Sequence, residues 1–501
     1  MSYIGLDIGT TRCKAVAFDE EGRTLATSYR DYPLHFPEPG SAELDSREVC
    51  DKAVAVLAEC TAACASDPPR ALGISSQGEA VTPVDASGVP LANAMVSSDA
   101  RPARIAREWT ADFGVERLYR ITGHTAHPLF TLYKLLWFRE QRPDVWSRAA
   151  RFHCFEDLMH ARLGLEPAMS WPLAGRTMMF DVTRHAWSED VIDAVGIDLA
   201  QLPRLAPSGT VVGEIPARVA QELGLPPGVR VIAGGHDQPC AALGAGVVEP
   251  GRAMYATGTV ECICPMLPSA AFTPELFNGN LCTYDFTLPG MYTTVAFSLT
   301  GGNILQWFRE QWGGVERAEA QRTGRDAYDL ILETLPPVPG ELMALPYFTP
   351  SGTPFFDTET PGALFGLRLQ TTRGEVLRAL LEGVAFEMRL NVDILAQAGV
   401  VVSDFRAVGG GSRNRRLTQL KADVLHRPIT TVEVTEAGCL GMAMLARSAD
   451  TGTPARDIAD AWVRTGDAVE PNSARAARYD DMFSRYKQLY PAMRDLQRSF
   501  S

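Results

Sequence analysis

The sequence predicts an α/β protein. Three observations carry that expectation: a strand–turn–strand opening, strands that run through glycine turns into helical patterns, and a strand–Gly-Thr–strand piece that occurs twice. Tyr3-Ile4-Gly5-Leu6-Asp7 is a short apolar run, Ile8-Gly9-Thr10-Thr11 is turn-like, and residues 14–18 are apolar again. Asp19-Glu20-Glu21-Gly22 turns the chain once more into 23–28, which makes an antiparallel meander. Helical periodicity follows at 46–65 and a strand at 71–75. In the second half, 253–256 leads through Thr257-Gly258-Thr259 into 260–264. At this level a duplicated architecture and a chance recurrence of Gly-Thr are both open. Glycines and prolines at 243–251 read as a hinge between halves. Beyond it, 374–398 is a long amphipathic helix, 405–408 a strand, Gly409-Gly410-Gly411 a tight turn and 412–426 a helix. From 474 onward the pattern is again helical.

Size and composition bound the function. A chain of 501 residues, 46% hydrophobic and 21% charged, holds several domains and needs no metal or disulfide staple. Its net charge of −13 disfavours nucleic acid and anionic membranes as partners. The ten cysteines have no regular spacing and read as buried free thiols. The first residues lack the pattern of a signal peptide, and no apolar run reaches the roughly 18 residues of a membrane span. The expectation is a soluble, cytoplasmic protein.

The glycine turns suggest anion sites, because glycine lets a ligand approach backbone amides at a helix start. Gly9-Thr10-Thr11, Gly258-Thr259, Gly301-Gly302 and Gly409-Gly410-Gly411 all qualify, and each alone is a weak signal, since such a turn is more often an ordinary connection than a site. There is no P-loop pattern and no dinucleotide fingerprint. Asp7, at the end of the first strand, can hold magnesium through water. Asp237, in Gly234-Gly235-His236-Asp237-Gln238, is either a helix N-cap or a base that takes a proton from an attacking hydroxyl.

Taken in order, the motifs resemble those of the FGGY carbohydrate kinases. They are G-x-D-x-G-T-T at 5–11, G-x-x-x-Q at 73–77, N-A-x-x-x-x-D-x-R at 93–101, K-L-L-W at 134–137, and R-T-M-x-F-D at 176–181. A-G-G-x-D-Q follows at 233–238, then the Gly258-Thr259 turn and G-G-x-x-x-Q-W at 301–307. L-E-G-V-A-F at 381–386, G-G-G-S-R-N at 409–414 and Ala422-Asp423 complete the set. The resemblance implies two RNase H-like domains of the actin and hexokinase type flanking a cleft, with residues 1–246 binding sugar and 252–501 binding nucleotide. It implies ATP and Mg²⁺ as cofactors, with Asp7 holding the metal and Asp237 acting as catalytic base. Thr10, Thr11, Arg12, Gly258, Thr259, Gly302, Gln306, Gly410, Gly411 and Asn414 match its nucleotide-binding positions. Arg12 and the nearby Lys14 also read as plain surface cations. Gly78, Glu79, Asp99, Asp237 and Gln238 match its acceptor positions.

The departures concern the acceptor. Glycerol kinases of the family carry Arg before the glutamate matched by Glu79, where this chain has Gly78. Xylulose kinases carry Met-His there. Ser97 replaces a common Trp, Ser170 a common Asp, and Ser351-Gly352-Thr353-Pro354 a G-E-R-x-P loop. The expectation is a pocket opened by Gly78 and Ser97, in which Glu79 either binds a vicinal diol or pairs with Arg101. His124, His127, Trp137 and Trp146 read as packing or surface residues. The leading reading is an ATP-dependent kinase of a small sugar, such as a pentulose. The alternatives are a polyol kinase, a regulatory binder without transfer activity and an actin-like ATPase. The partner is a small carbohydrate, and a homodimer is one allowed assembly.

Overall fold

In the computed structural model, which describes residues 1–357, 359–434 and 436–499, each half has its own mixed sheet with its first strand at the centre. The N-terminal sheet comprises β1 (Ser2–Ile8), β2 (Arg12–Phe18), β3 (Thr24–Asp31), β4 (Pro69–Ser76), β5 (Val211–Glu214) and β6 (Arg230–His236). Their spatial order is β5-β6-β4-β1-β2-β3. The meander β1-β2-β3 is antiparallel, and β1, β4 and β6 run parallel. Helices α1 (Ser46–Ala63), α2 (Thr131–Gln141), α3 (Phe155–Arg162) and α4 (Asp237–Gly244) belong to this half. Asp45 starts α1 by accepting the amides of Arg47 and Glu48, which would otherwise lack partners.

The C-terminal sheet repeats the plan. It is built from β7 (Arg252–Thr257), β8 (Glu261–Leu267), β9 (Tyr284–Asp285), β10 (Tyr292–Thr293), β11 (Ala296–Ser298), β12 (Asp404–Val408), β13 (Ile429–Val432) and β14 (Thr465–Val469). β7 and β8 form an antiparallel hairpin across Gly258-Thr259, and β12 and β13 run parallel beside β7. This matches the β1-β2 hairpin with its parallel neighbours β4 and β6, so the recurrence in the sequence is architectural. Its helices include α5 (Gly302–Trp312), α6 (Arg373–Gln397), α7 (Arg415–Leu425), α8 (Ala437–Thr451) and α9 (Ser473–Arg498). A capping box starts α6: Thr372 accepts the Glu375 amide, and the Glu375 carboxylate accepts the Thr372 amide at 2.7 Å. The α6 residues Val376, Leu377, Leu380, Leu381, Val384, Met388 and Leu395 are buried.

Two features depart from the sequence reading. The helix expected at 412–426 begins later, because Gly410–Arg413 is a 3₁₀ turn and Asn414 caps α7. Helix α8, late in the chain, packs on β1, β4 and α4 of the N-terminal half. Glycines make that approach possible: a Cβ on Gly5 would stand 1.9 Å from the Cys439 carbonyl oxygen, and one on Gly234 2.5 Å from Met442 Sδ. The shared core beneath α8 gathers Tyr3, Ile232, Leu243, Met254, Leu440 and Met444 from both halves. All ten cysteines are buried and none is disulfide-bonded. Among the described residues no helix is long and apolar enough to cross a membrane.

Candidate active site

Asp237 begins α4 where β6 ends, but it is not the N-cap. His236 holds that position and makes no capping bond, so the capping reading of Asp237 is overturned. The Asp237 side chain keeps 30% exposure, while its Oδ1 is closed to solvent and makes no aligned hydrogen bond. Oε1 of the adjacent Gln238 is likewise buried and unpartnered. Two orphaned acceptors on consecutive residues point to a ligand that supplies donors. Burial, then the charges of Asp7 and Glu79, push the Asp237 carboxyl up to about 7. The β6–α4 junction is anchored from behind, where Glu156 accepts the Gly234 amide at 2.8 Å and the Ser170 amide and hydroxyl. Ser170 thus serves to hold the carboxylate that holds the junction.

Asp7 ends β1 next to this junction. Its Oδ1 accepts from Ser75 at 2.6 Å, and burial raises its pKa. Lys14, paired with Glu436, lies near enough to oppose that rise. Among the described residues no three His, Cys, Asp or Glu side chains converge as a metal cage. Asp7 suits a magnesium ion coordinated mostly by water and phosphate, which needs only one or two carboxylates. The Gly9-Thr10-Thr11 turn is braced by Gln77, which donates to the Gly9 carbonyl at 3.0 Å, and by Tyr32, which donates to it at 2.6 Å. Arg12 departs from the nucleotide expectation: its guanidinium pairs with Asp31 and lies 4.5 Å over the Tyr29 ring.

The acceptor side is built around Glu79, which sits at φ 65°, a conformation uncommon for a non-glycine residue. Its carbonyl accepts from Thr131 and from the buried Lys134, both at 2.9 Å, so the strain is held by specific bonds. Its carboxylate pairs with Arg176, whose Nε donates at 2.6 Å. The expected alternative partner, Arg101, is elsewhere. Asp99 is buried and spent on the Arg101 guanidinium, on the Arg101 amide and on the Ala42 amide, so its assignment to the acceptor is corrected. Arg101 also lies 4.3 Å over Trp137, which accounts for that tryptophan by packing. Gly78 does not open the pocket either. A Cβ there would meet the His236 ring at 3.0 Å and Arg176 Cγ at 3.4 Å, so those two side chains fill the room.

Four groups in this shell were not singled out as site residues from sequence. Arg176 reaches His124 Nε2 at 3.2 Å and lies between the rings of Phe130 and Tyr284. His236 Nδ1 is 2.9 Å from the Tyr284 hydroxyl. Tyr284 comes from the C-terminal half, whose segment is tied across by Thr283 to Gly123 and Thr287 to Pro239. The R-T-M motif and the variable position in G-G-x-D-Q were the sequence signals available for Arg176 and His236. Nothing marked Tyr284.

The remaining expected residues meet in a cavity of about 600 Å³ on the C-terminal half. Gly258, Thr259, Gly302, Gln306, Gly410, Gly411 and Asn414 all line it. The Gly258 and Thr259 carbonyls accept the amides of Gly302 and Asn303, so the hairpin turn is bonded to the start of α5. Asn414 is occupied by capping α7 and by donating to Asp329 at 2.6 Å, which gives it a shaping role in the wall. Tyr328, Leu332, Leu305 and Leu417 supply an apolar side, and Lys421, ion-paired with Glu261, lies at the floor.

Two family models match consecutive stretches of this chain. Residues 2–244 match the N-terminal domain of the FGGY family of carbohydrate kinases, and 253–449 match its C-terminal domain. The chain belongs to the FGGY family of carbohydrate kinases. It is 28% identical to a xylulose kinase of Lactococcus lactis over 98% of this chain and 97% of that protein. It is 31% identical to a glycerol kinase of Methylibium petroleiphilum over 89% and 90%. The solved xylulose kinase of Rhodospirillum rubrum superposes with a TM-score of 0.88 at 28% identity, covering 99% of both chains. This FGGY chain is therefore a carbohydrate kinase, a phosphotransferase with a hydroxyl acceptor, that uses ATP and has the two-domain actin-like fold.

Proposed function

We propose that this kinase transfers the γ-phosphoryl group of ATP to a hydroxyl of an uncharged ketose, a pentulose such as xylulose. The observation that carries the reading is the pair of buried, unpartnered acceptors on Asp237 and Gln238 beside the strained Glu79. Asp237 takes the proton of the acceptor hydroxyl, whose oxygen forms the new bond to phosphorus as ADP leaves. Gln238 and Glu79 orient neighbouring hydroxyls. Asp7 would hold a magnesium ion, which supplies charge neutralisation on the phosphates. The nucleotide lies in the C-terminal cavity, with adenine towards Tyr328 and Leu332 and phosphates towards Gly258-Thr259 and Gly410-Gly411. The amides of those turns favour developing negative charge. In this assignment residues 1–246 carry the acceptor and 252–501 the nucleotide, apart from α8 and Tyr284, which serve the N-terminal half; the last two residues lie outside those described.

An uncharged acceptor follows from the cations. Arg176 is matched by Glu79, and Lys134 donates to the Glu79 carbonyl, so neither is free for a substrate carboxylate. A second reading, a polyol such as glycerol, is favoured by the guanidinium that meets Glu79 from residue 176 rather than from residue 78. An ADP-release screen over pentuloses, hexuloses, tetruloses, polyols and gluconate tests both. Turnover with a ketose supports the first reading and turnover with a polyol the second. Turnover with gluconate alone would refute the cation argument. ADP release independent of any acceptor would mean an ATPase, and binding without turnover a regulator.

A further inference from the structure

A second cavity, of about 490 Å³, lies against α6, α7, α9 and the loop at 335–337. Helix α7 is the wall it shares with the nucleotide cavity: Asn414, Leu417 and Lys421 line the one, Arg415, Arg416 and Gln419 the other. Four arginines line the second cavity, Arg378, Arg415, Arg416 and Arg475, and among the described residues no lining side chain is acidic. The chain as a whole carries a net charge of −13, so this concentration of positive charge is local. Two of the four cations are matched. Arg378 pairs with Glu382 at 2.7 Å and donates to the Pro336 carbonyl and the Tyr479 hydroxyl. Arg475 pairs with Asp423 at 2.6 Å and donates to the Pro337 carbonyl at 2.9 Å. The other two are not matched. Among the described residues the Arg415 side chain has no hydrogen bond or ion pair. The Arg416 side chain has only a 3.4 Å bond to the Glu333 carbonyl, and the Glu333 carboxylate is taken by Arg325. Both stand in the first turn of α7, which holds no acid and where the positive end of the helix dipole disfavours cations. Helix stability does not account for them, whereas an anion in the cavity would be favoured by both guanidiniums.

We propose that this cavity is a second anion site, separate from the nucleotide cavity, which takes a small molecule carrying two phosphate groups. A guanidinium fork grips one phosphate through two parallel N–H···O bonds, and two forks here are unspent. Arg378 and Arg475, already fixed by their own pairs, add positive charge without having to be ordered by the ligand. The volume falls within the roughly 300–1,000 Å³ of small-molecule pockets. The site adds to the kinase reading and does not depend on the assignment of Asp237 as base.

The probe is inorganic pyrophosphate, titrated by calorimetry into the full-length enzyme already saturated with ADP. Divalent cations are left out so that the pyrophosphate stays free, and about 0.15 M KCl screens diffuse surface attraction. ADP fills the nucleotide cavity, so remaining binding reports on the second one. The expected result is saturable binding of one pyrophosphate per chain. It should weaken about tenfold or more in the double variant Arg415→Gln, Arg416→Gln, with ADP affinity within about threefold of the wild type. Both side chains are exposed, so the variant should fold. Should it not, Arg415→Gln alone decides, with an expected loss of about threefold or more, because that side chain bonds to nothing in the fold. No saturable binding, equal affinity in wild type and variant, or heat seen only before ADP is added would overturn the proposal. So would an ADP affinity that falls in step with that for pyrophosphate, since the two sites would then be one. Orthophosphate should bind at least about tenfold more weakly, and equal affinity for the two anions would refute the two-phosphate assignment.

Discussion

Lowering the pH from 8 to 6 should remove most of the turnover of this kinase, with Asp237 as the group responsible. A base works only when ionised, and burial with the Asp7 and Glu79 charges has raised this carboxyl to about 7. At pH 8 roughly 90% of the sites would be ionised, at pH 7 about half, and at pH 6 about 10%, from the titration curve of one group. kcat/KM should thus fall about tenfold across two units where an ordinary carboxylate, titrating near 4, would leave it flat. Asp7→Asn removes one of the charges that oppose ionisation, so its remaining activity should lose its acid limb at lower pH than the wild type. Asp237→Asn should cost about 10²–10⁴-fold and abolish the limb. The assay is coupled ADP release at saturating ATP, run from pH 5.5 to 9 on all three proteins. A flat wild-type profile between pH 6 and 8, or an Asp7→Asn limb displaced upward, would refute the reasoning.

Four further outcomes follow from the surroundings of named residues. Gly410→Val places its Cβ where no protein atom lies within 4 Å, so it should fold normally and weaken ATP binding about tenfold or more by calorimetry. Gly411→Val meets the Thr257 carbonyl at 3.1 Å and should lower the melting temperature as well as weaken ATP binding. Glu79→Ala leaves Arg176 buried without its carboxylate and should destabilise the fold by about 3–5 kcal/mol in urea titration, beyond any loss of acceptor binding. A Glu79→Ala protein with wild-type stability would show that the pair is not what holds the guanidinium. Gly5→Val drives a side chain into the Cys439 backbone and should yield insoluble protein; soluble, active enzyme would mean that α8 does not pack there.

Much of the architecture was legible from neighbouring residues. Alternation and glycine turns mark β1, β2, β7 and β12, because backbone conformation and strand periodicity are settled within a few residues. For the same reason the glycines of the nucleotide cavity could be named, since a turn that bares its amides is a local property. Asp237 was found at its strand–helix junction, although the competing capping role needed coordinates to remove. The acceptor pocket was far less legible. Arg176 meets Glu79 across 97 positions of sequence, and Tyr284 meets His236 across 48. Gly78 looked like added space until the fold filled it with His236 and Arg176, and Asp99 looked like a ligand until Arg101 and the Ala42 amide consumed it. Helix α8 lies late in the chain yet packs against β1, and nothing local announces that return. Turns and periodicity are written in adjacent residues, whereas the partner of a buried charge is chosen by which distant surfaces pack together.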